Sequence, residues 1–272
     1  MRALGWFAAA LAAAACAQTV PVEIHLLDPP VIEERVENLS RKAAERRAIL
    51  EKLFQDAGCT GEQLASQKVR GSKEQNIICT LKGQDPAAGE IVVGGHFDLV
   101  TRGMGAVDDW SGVVLLPSLY ESLKSRPRQH DFVFIGFAAE ETGLNGSRAY
   151  VNALTAPQRA AIRAMINLEC LGLAPPAIWA RRADPRLLEA YARIADALHM
   201  QPSGVNVDQV GDDDSHPFRD ARIPVLTIHS LTQQSFKILH TPRDNVGAID
   251  ADHYSDAYRL AATLLAFLDS RI

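Results

Sequence analysis

The stretch Ile91-Val92-Val93-Gly94-Gly95-His96-Phe97-Asp98 decides the fold. A short apolar run that ends in histidine and aspartate reads as a strand buried on both faces, with polar chemistry at its carboxyl end. The pattern recurs downstream. Phe132 to Phe137 is fully apolar and leads to Glu140-Glu141, and Ala164 to Leu168 leads to Glu169. Pro224 to His229 is a fourth run.

Helical patterns separate these runs. Gly112 to Leu123 reads as a helix that Pro117 should bend. Ser147 to Leu154 is a second, and Arg186 to Met200 a third, opened by Asp184-Pro185. Asp252 to Leu268 is the last, with Asp250 or Asp252 as its cap. Upstream, Val31 to Ala57 carries apolar residues near helical spacing and closes at Gly58. Leu64 to Val69 and Ile77 to Leu81 read as strands joined by a polar turn around Gly71. Short apolar strands alternating with helices imply an α/β fold, a largely parallel sheet covered on both faces. One domain over residues 31–272 accounts for the pattern.

The chain has 272 residues, 47% hydrophobic and 22% charged, with a formal net charge of -5. That suits a medium-sized globular domain, and no basic stretch suggests a nucleic-acid groove. Met1-Arg2, the apolar Ala3 to Ala15 and the Ala15-Cys16-Ala17 pattern read as a secretory signal peptide over residues 1–17, too short for a membrane span. Cys16 as a lipid-bearing N-terminus is the competing reading. Residues 18–30 read as a linker. Export to the periplasm or beyond would place the mature chain where disulfides persist. Cys59 and Cys79 flank the probable hairpin and are expected to pair, leaving Cys170 unpaired beside Glu169.

In an open α/β sheet, ligand sites form beyond the carboxyl ends of the strands. His96, Asp98, Glu140, Glu141 and Glu169 therefore gather at one edge, and Asp108 and His240 lie in loops able to close over it. Histidine and carboxylate donors without thiolates suit zinc or a related divalent ion. Such dense negative charge also favours a cation between the carboxylates. His96 and Asp98 share a face of an extended segment, so Asp98 can orient the imidazole through its second nitrogen. Glu140 and Glu141 point different ways, so one can bind metal while the other takes a proton from water.

The ordered motifs GGHFD (94–98), GAVDDWSG (105–112), FAAEETGLNGS (137–147), NLE (167–169) and HTPRD (240–244) resemble the bacterial aminopeptidase-type zinc metallopeptidases of family 28, whose fold glutaminyl cyclases share. The resemblance implies a three-layer α/β/α sandwich around a mixed, mostly parallel sheet. It implies two zinc ions, one held by His96 and Glu169, the other by Glu141 and His240, with Asp108 bridging. Glu140 would be the general base and Asp98 would support His96. A cis peptide at Asp108-Asp109 is also implied. Two departures stand out. Glu169 occupies a position where many members have aspartate, and Ser215 stands where a histidine is usual, with His216 next to it.

The expected reaction is removal of N-terminal residues from a peptide substrate by an activated water. Cyclisation of N-terminal glutamine is the alternative on the same fold, and a non-catalytic metal-binding domain is a second. Arg102, Arg181 and Arg243 keep a carboxypeptidase open. No GxSxG motif supports a serine hydrolase.

Overall fold

The computed structural model describes residues 23–208 and 211–272. The leader over 1–17, the alternative at Cys16 and the first part of the linker lie outside these residues. Among the described residues no helix is long and apolar enough to cross a membrane.

Seven described strands form one sheet: β1 (Leu64–Lys68), β2 (Gln75–Leu81), β3 (Glu90–His96), β4 (Asp131–Phe137), β5 (Ile162–Glu169), β6 (Ala177–Ile178) and β7 (Val225–His229). Their order is β1-β2-β4-β3-β5-β7-β6. β4, β3, β5 and β7 run parallel to their neighbours within this central block. β1 with β2, β2 with β4 and β6 with β7 are antiparallel. The fold class expected from the sequence is therefore observed, with one correction. Parallel and antiparallel pairings are equal in number, because the β1-β2 hairpin builds one edge and β6, entered from β5 without a crossover helix, runs back along β7 at the other.

Successive side chains of the central strands feed two opposite cores. Ile91, Val93, Phe132 and Phe134 join one apolar cluster, whereas Val92, Val133, Ile135 and Phe137 join the other. The first cluster lies under α1 (Pro29–Glu37), α2 (Ala43–Asp56), a short α3 (Ser111–Val113), α4 (Leu115–Lys124), α7 (Pro185–Ala197) and α9 (Ala251–Asp269). The second lies under α5 (Asn145–Ala153) and α8 (His216–Asp220). α6 (Ala156–Ala161) is a brief capped helix that leads into β5. Three layers result.

The single helix expected over Val31–Ala57 is two helices, broken at residues 38–42. Asn38 and Ser40 compete with the helical backbone, and Ser40 Oγ accepts from Lys42 N at 3.1 Å. The break lets Arg46 turn inward. Pro117 does interrupt its helix: the interruption falls at Val114, one turn ahead of the proline, between α3 and α4. Asp250 rather than Asp252 caps α9, accepting from His253 N at 3.0 Å. Three elements left no mark in the sequence pattern: the six-residue α6, the two-residue β6 and the five-residue α8. Cys59 and Cys79 are bridged, tying the residues after α2 to β2, and Cys170 is a buried free thiol.

Candidate metal centre

His96 ends β3 and is fully buried. Glu140 and Glu141 follow β4, and Glu169 ends β5. Because β4, β3 and β5 are adjacent and parallel, three strand ends deliver these groups to one rim. Asp108 sits in a turn, Ala106–Trp110, that folds back over this rim, with non-helical backbone at Asp108 and Asp109, and the Asp108-Asp109 peptide is cis, as the resemblance implied.

Asp108 joins the two histidines. Its Oδ1 lies 3.2 Å from His96 Nε2, and its Oδ2 lies 3.0 Å from His240 Nε2. Glu141 Oε2 is 3.1 Å from His240 Nε2, while Glu169 Oε1 is 3.6 Å and Glu140 Oε2 3.8 Å from His96 Nε2. All six residues, separated by up to 144 positions, converge at this point. Asp98 is the seventh. Its Oδ1 stands 3.5 Å from His96 Nδ1, beyond a good hydrogen bond, and instead accepts from Glu140 N at 2.9 Å. Its other oxygen accepts from Glu141 N at 3.2 Å. Asp98 thus holds the backbone that carries both glutamates, a stronger attachment than the imidazole contact expected of it.

Electrostatics follows from the crowding. Burial alone would drive the His96 imidazole toward neutrality, but Glu140, Asp108, Asp98 and Glu169 together hold its pKa well above the usual value. Hydrogen bonds that its ring donates to Asp108 and Glu141 raise His240 to about 10. Burial pushes Glu140 well above the carboxylate range, with Asp214, Glu169 and Asp108 adding to the effect against His96. Burial raises Glu169 as well, only partly offset by His96. Asp108 is the exception, depressed because the two histidines outweigh its burial. Carboxylates that cannot all ionise, beside imidazoles held charged, mark a place where a divalent cation would relieve repulsion.

The donor set fits such an ion. Asp108, Glu141 and His240 each present an atom within 4.8 Å of the others, and so do Asp108, Glu169 and Cys170. Glu141 Oε1 is buried without a hydrogen-bond partner among the described residues. Proximity also groups Asp109 with His96 and Glu169. Its oxygens are already committed, however, accepting from His96 N at 3.1 Å, Gly112 N at 3.1 Å and Cys170 N at 3.0 Å. Asp109 clamps the ends of β3 and β5 to the turn that carries Asp108. Gly95 and Gly112 make room for it, since a Cβ on either would lie 2.9 and 2.4 Å from its carboxylate oxygens.

Backbone strain collects here too. Ala139, Cys170 and His240 have φ of 59°, 52° and 57°, a left-handed conformation that residues other than glycine seldom adopt. Strain of this kind concentrates where side chains must be aimed.

A cavity of about 370 Å³ opens on the cluster. Asp108, Glu140, Glu141, Glu169 and His240 line its floor, and Trp179, Val207, Leu231 and Leu239 form an apolar wall. Several contributors had no role assigned from the sequence. Arg46 is completely buried and donates to Ser40 O at 2.7 Å, Gly105 O at 2.9 Å and Phe97 O at 3.4 Å, and also to Met104 O. Asp244 accepts from Val107 N at 2.7 Å, while its own carbonyl accepts from Met104 N at 2.9 Å, fixing the His240 loop to the Asp108 turn. His229 ends β7 inside the cavity, donating from Nε2 to Val205 O and accepting Leu231 N at Nδ1, both at 3.0 Å. Burial lowers its pKa and favours this neutral form. Asp214 is buried near Glu140, and burial raises it to about 8.

The departures noted in the sequence resolve separately. Glu169 reaches the cluster despite its extra methylene. Ser215 is buried against Asp213, and His216 lies between Asp212 and Asp220 at 2.6 and 3.0 Å, outside the cavity lining. His216 therefore does not take the place of the missing histidine.

A sequence model of peptidase family M28 matches residues 76–265. The chain belongs to peptidase family M28. Among curated members it is 33% identical over 158 residues to the leupeptin-inactivating enzyme 1 of Streptomyces exfoliatus, covering 57% of this chain and 35% of that protein. It is 31% identical over 128 residues to the probable leucine aminopeptidase 2 of Aspergillus fumigatus, covering 47% and 25%. The M28 chain thus spans about a third or less of the length of these relatives. A zinc aminopeptidase from Bacillus subtilis superposes with a TM-score of 0.66 at 24% identity, covering 72% of this chain and 50% of that one. A glutaminyl cyclase from an Acidobacteriales bacterium gives 0.71 at 18%, covering 94% and 100%. These superpositions establish a shared fold.

Proposed function

We propose that this M28 domain is an extracytoplasmic zinc aminopeptidase, removing N-terminal residues from peptides. The observation that carries the reading is the Asp108 carboxylate set between His96 and His240, with Glu140 free beside it. His96 and Glu169 would hold one zinc, Glu141 and His240 the other, and Asp108 would bridge them. When bound, the ions supply Lewis acidity to the scissile carbonyl and lower the pKa of water.

The protein's own groups do the rest. Glu140 takes the proton of the attacking water and returns it to the leaving amine. Burial and the neighbouring carboxylates disfavour the ionised form of Glu140 in the protein alone, which favours holding a proton there. Asp98 keeps it aimed through the backbone N–H. The carboxylate-rich floor attracts a free α-ammonium, and the wall of Trp179, Val207, Leu231 and Leu239 accepts an apolar side chain. That combination favours an N-terminal over a C-terminal substrate end.

The test is metal analysis of the purified protein, with turnover of leucine p-nitroanilide before and after chelation and zinc return. Chelation-sensitive release of nitroaniline is the expected result. Conversion of a glutamine-initial peptide to its pyroglutamyl form without hydrolysis would replace this reading with the cyclase.

A further inference from the structure

The cavity extends past the proposed metal ligands, and the residues beyond them differ chemically on the two sides. The sheet order runs β4, β3, β5, β7, β6 along the rim. The apolar wall stands on the β7 and β6 side, where Trp179 follows β6 and Leu231 follows β7. At the other end, past Glu140, the lining is Gly143, Leu144 and Arg148, from the turn after β4 and from α5.

Arg148 is exceptional in that lining. Six carboxylates border the cavity, yet Arg148 makes no ion pair within 4 Å among the described residues. Its Nε donates to Gly143 O at 3.2 Å, and Gly143 N donates to Glu140 O at 2.8 Å. The guanidinium is thereby held over the turn that carries the general base. Neither terminal nitrogen has a protein hydrogen-bond partner among the described residues. Arg102, Arg181 and Arg243, the cations that the sequence offered, do not line the cavity, and Arg181 is paired with Asp208 at 2.8 Å.

The direction of the substrate follows from the proposed chemistry, on which this step rests. An N-terminal side chain against the apolar wall puts the scissile bond over the cluster. The leaving nitrogen, which Glu140 protonates, then lies on the β4 side. In a dipeptide the carboxylate is two bonds beyond that nitrogen. We infer that Arg148 forms a subsite for the carboxylate of the leaving residue, so that free dipeptides are the preferred substrates. A guanidinium matches a carboxylate with two parallel donors, which gives orientation as well as attraction. In a longer peptide an uncharged amide stands there instead.

The test compares kcat/KM for Leu-Gly with that for Leu-Gly-amide, using zinc-loaded protein. The free acid should be preferred by about tenfold, the scale of one charge-assisted contact. The ratio should fall toward one in Arg148→Gln and be partly kept in Arg148→Lys. It should also shrink as salt is added, because the contact is exposed. Arg148 is exposed on α5 and its side chain supports one backbone carbonyl, so both variants should fold, and circular dichroism checks this. A ratio of one in the wild type, or a ratio unchanged in Arg148→Gln, overturns the inference while leucine p-nitroanilide turnover preserves the aminopeptidase reading. Cleavage of N-acetyl-Leu-Gly in place of Leu-Gly would overturn both, as would failure to hydrolyse any of these compounds.

Discussion

The carboxylate of Asp98 accepts the backbone N–H of Glu140 at 2.9 Å, across 42 residues of chain. One side chain at the end of β3 therefore sets the position of the proposed base and, through Glu141 N, of a proposed metal ligand. Asp98→Asn keeps one acceptor oxygen and replaces the other with a donor facing an N–H. Activity or zinc affinity should drop about 10–100-fold, the usual range for a residue that orients ligands. Equilibrium dialysis against zinc, run beside kinetics, separates the two effects.

Glu140→Gln removes the proton carrier and preserves shape. The expected loss in kcat is about 10²–10⁴-fold with zinc content unchanged. Full activity in a folded, zinc-loaded Glu140→Gln protein would refute the proposed role.

Zinc affinity should depend on pH with a definite sign. In the metal-free protein, His240 is raised to about 10 and His96 well above its ordinary value, so both rings are protonated at neutrality. A metal takes the neutral ring and must displace those protons. Affinity therefore rises with pH up to the raised values and falls as acid is added. Titration calorimetry in buffers of different ionisation enthalpy should register proton release. Equal zinc affinity at about pH 6 and about pH 8 would contradict the charge states described.

Arg46→Met should be costly at a distance from the reacting atoms. It would strip donors from the carbonyls of Phe97, Met104 and Gly105, in the segments carrying Asp98 and Asp108, and of Ser40 in the break before α2. A loss of about 2–4 kcal/mol in unfolding free energy is expected. Zinc binding should weaken in parallel, because the Asp108 turn loses its buried support. Urea unfolding with and without zinc measures both.

Peptide mapping without reductant should recover Cys59 and Cys79 in one linked fragment and Cys170 as a thiol. The bridge closes a loop of about 20 residues, for which roughly 3 kcal/mol of stabilisation is expected on chain-entropy grounds. Cys59→Ala/Cys79→Ala should accordingly unfold at lower temperature.

Much of this site was legible in the linear chain. Runs such as Ile91–Gly95 and Ala164–Leu168 exist because a strand buried on both faces has no room for polar side chains. The first polar residue after each run then falls at the sheet's rim, which is why His96, Glu140, Glu141 and Glu169 could be named. Asp250 as a helix cap and the hairpin carrying Cys79 are equally local signals. Where local signals were weak, the reading failed. The break between α1 and α2 rests on Asn38 and Ser40 within an otherwise helical pattern, and β6 is two residues held by its partner strand.

Sequence alone thus determined which strand ends carry the chemistry and the kinds of donor available. Tertiary structure decided which donors meet, since Asp108 and His240 are 132 residues apart in the chain and touch only in the folded protein. It also chose Arg46 over other arginines for burial, Arg148 over Arg102 for the cavity, and backbone support over imidazole contact for Asp98. The reason is physical. Burial and periodicity act between near neighbours, whereas a charge's role depends on which distant groups share its low-dielectric surroundings, and no local pattern encodes that.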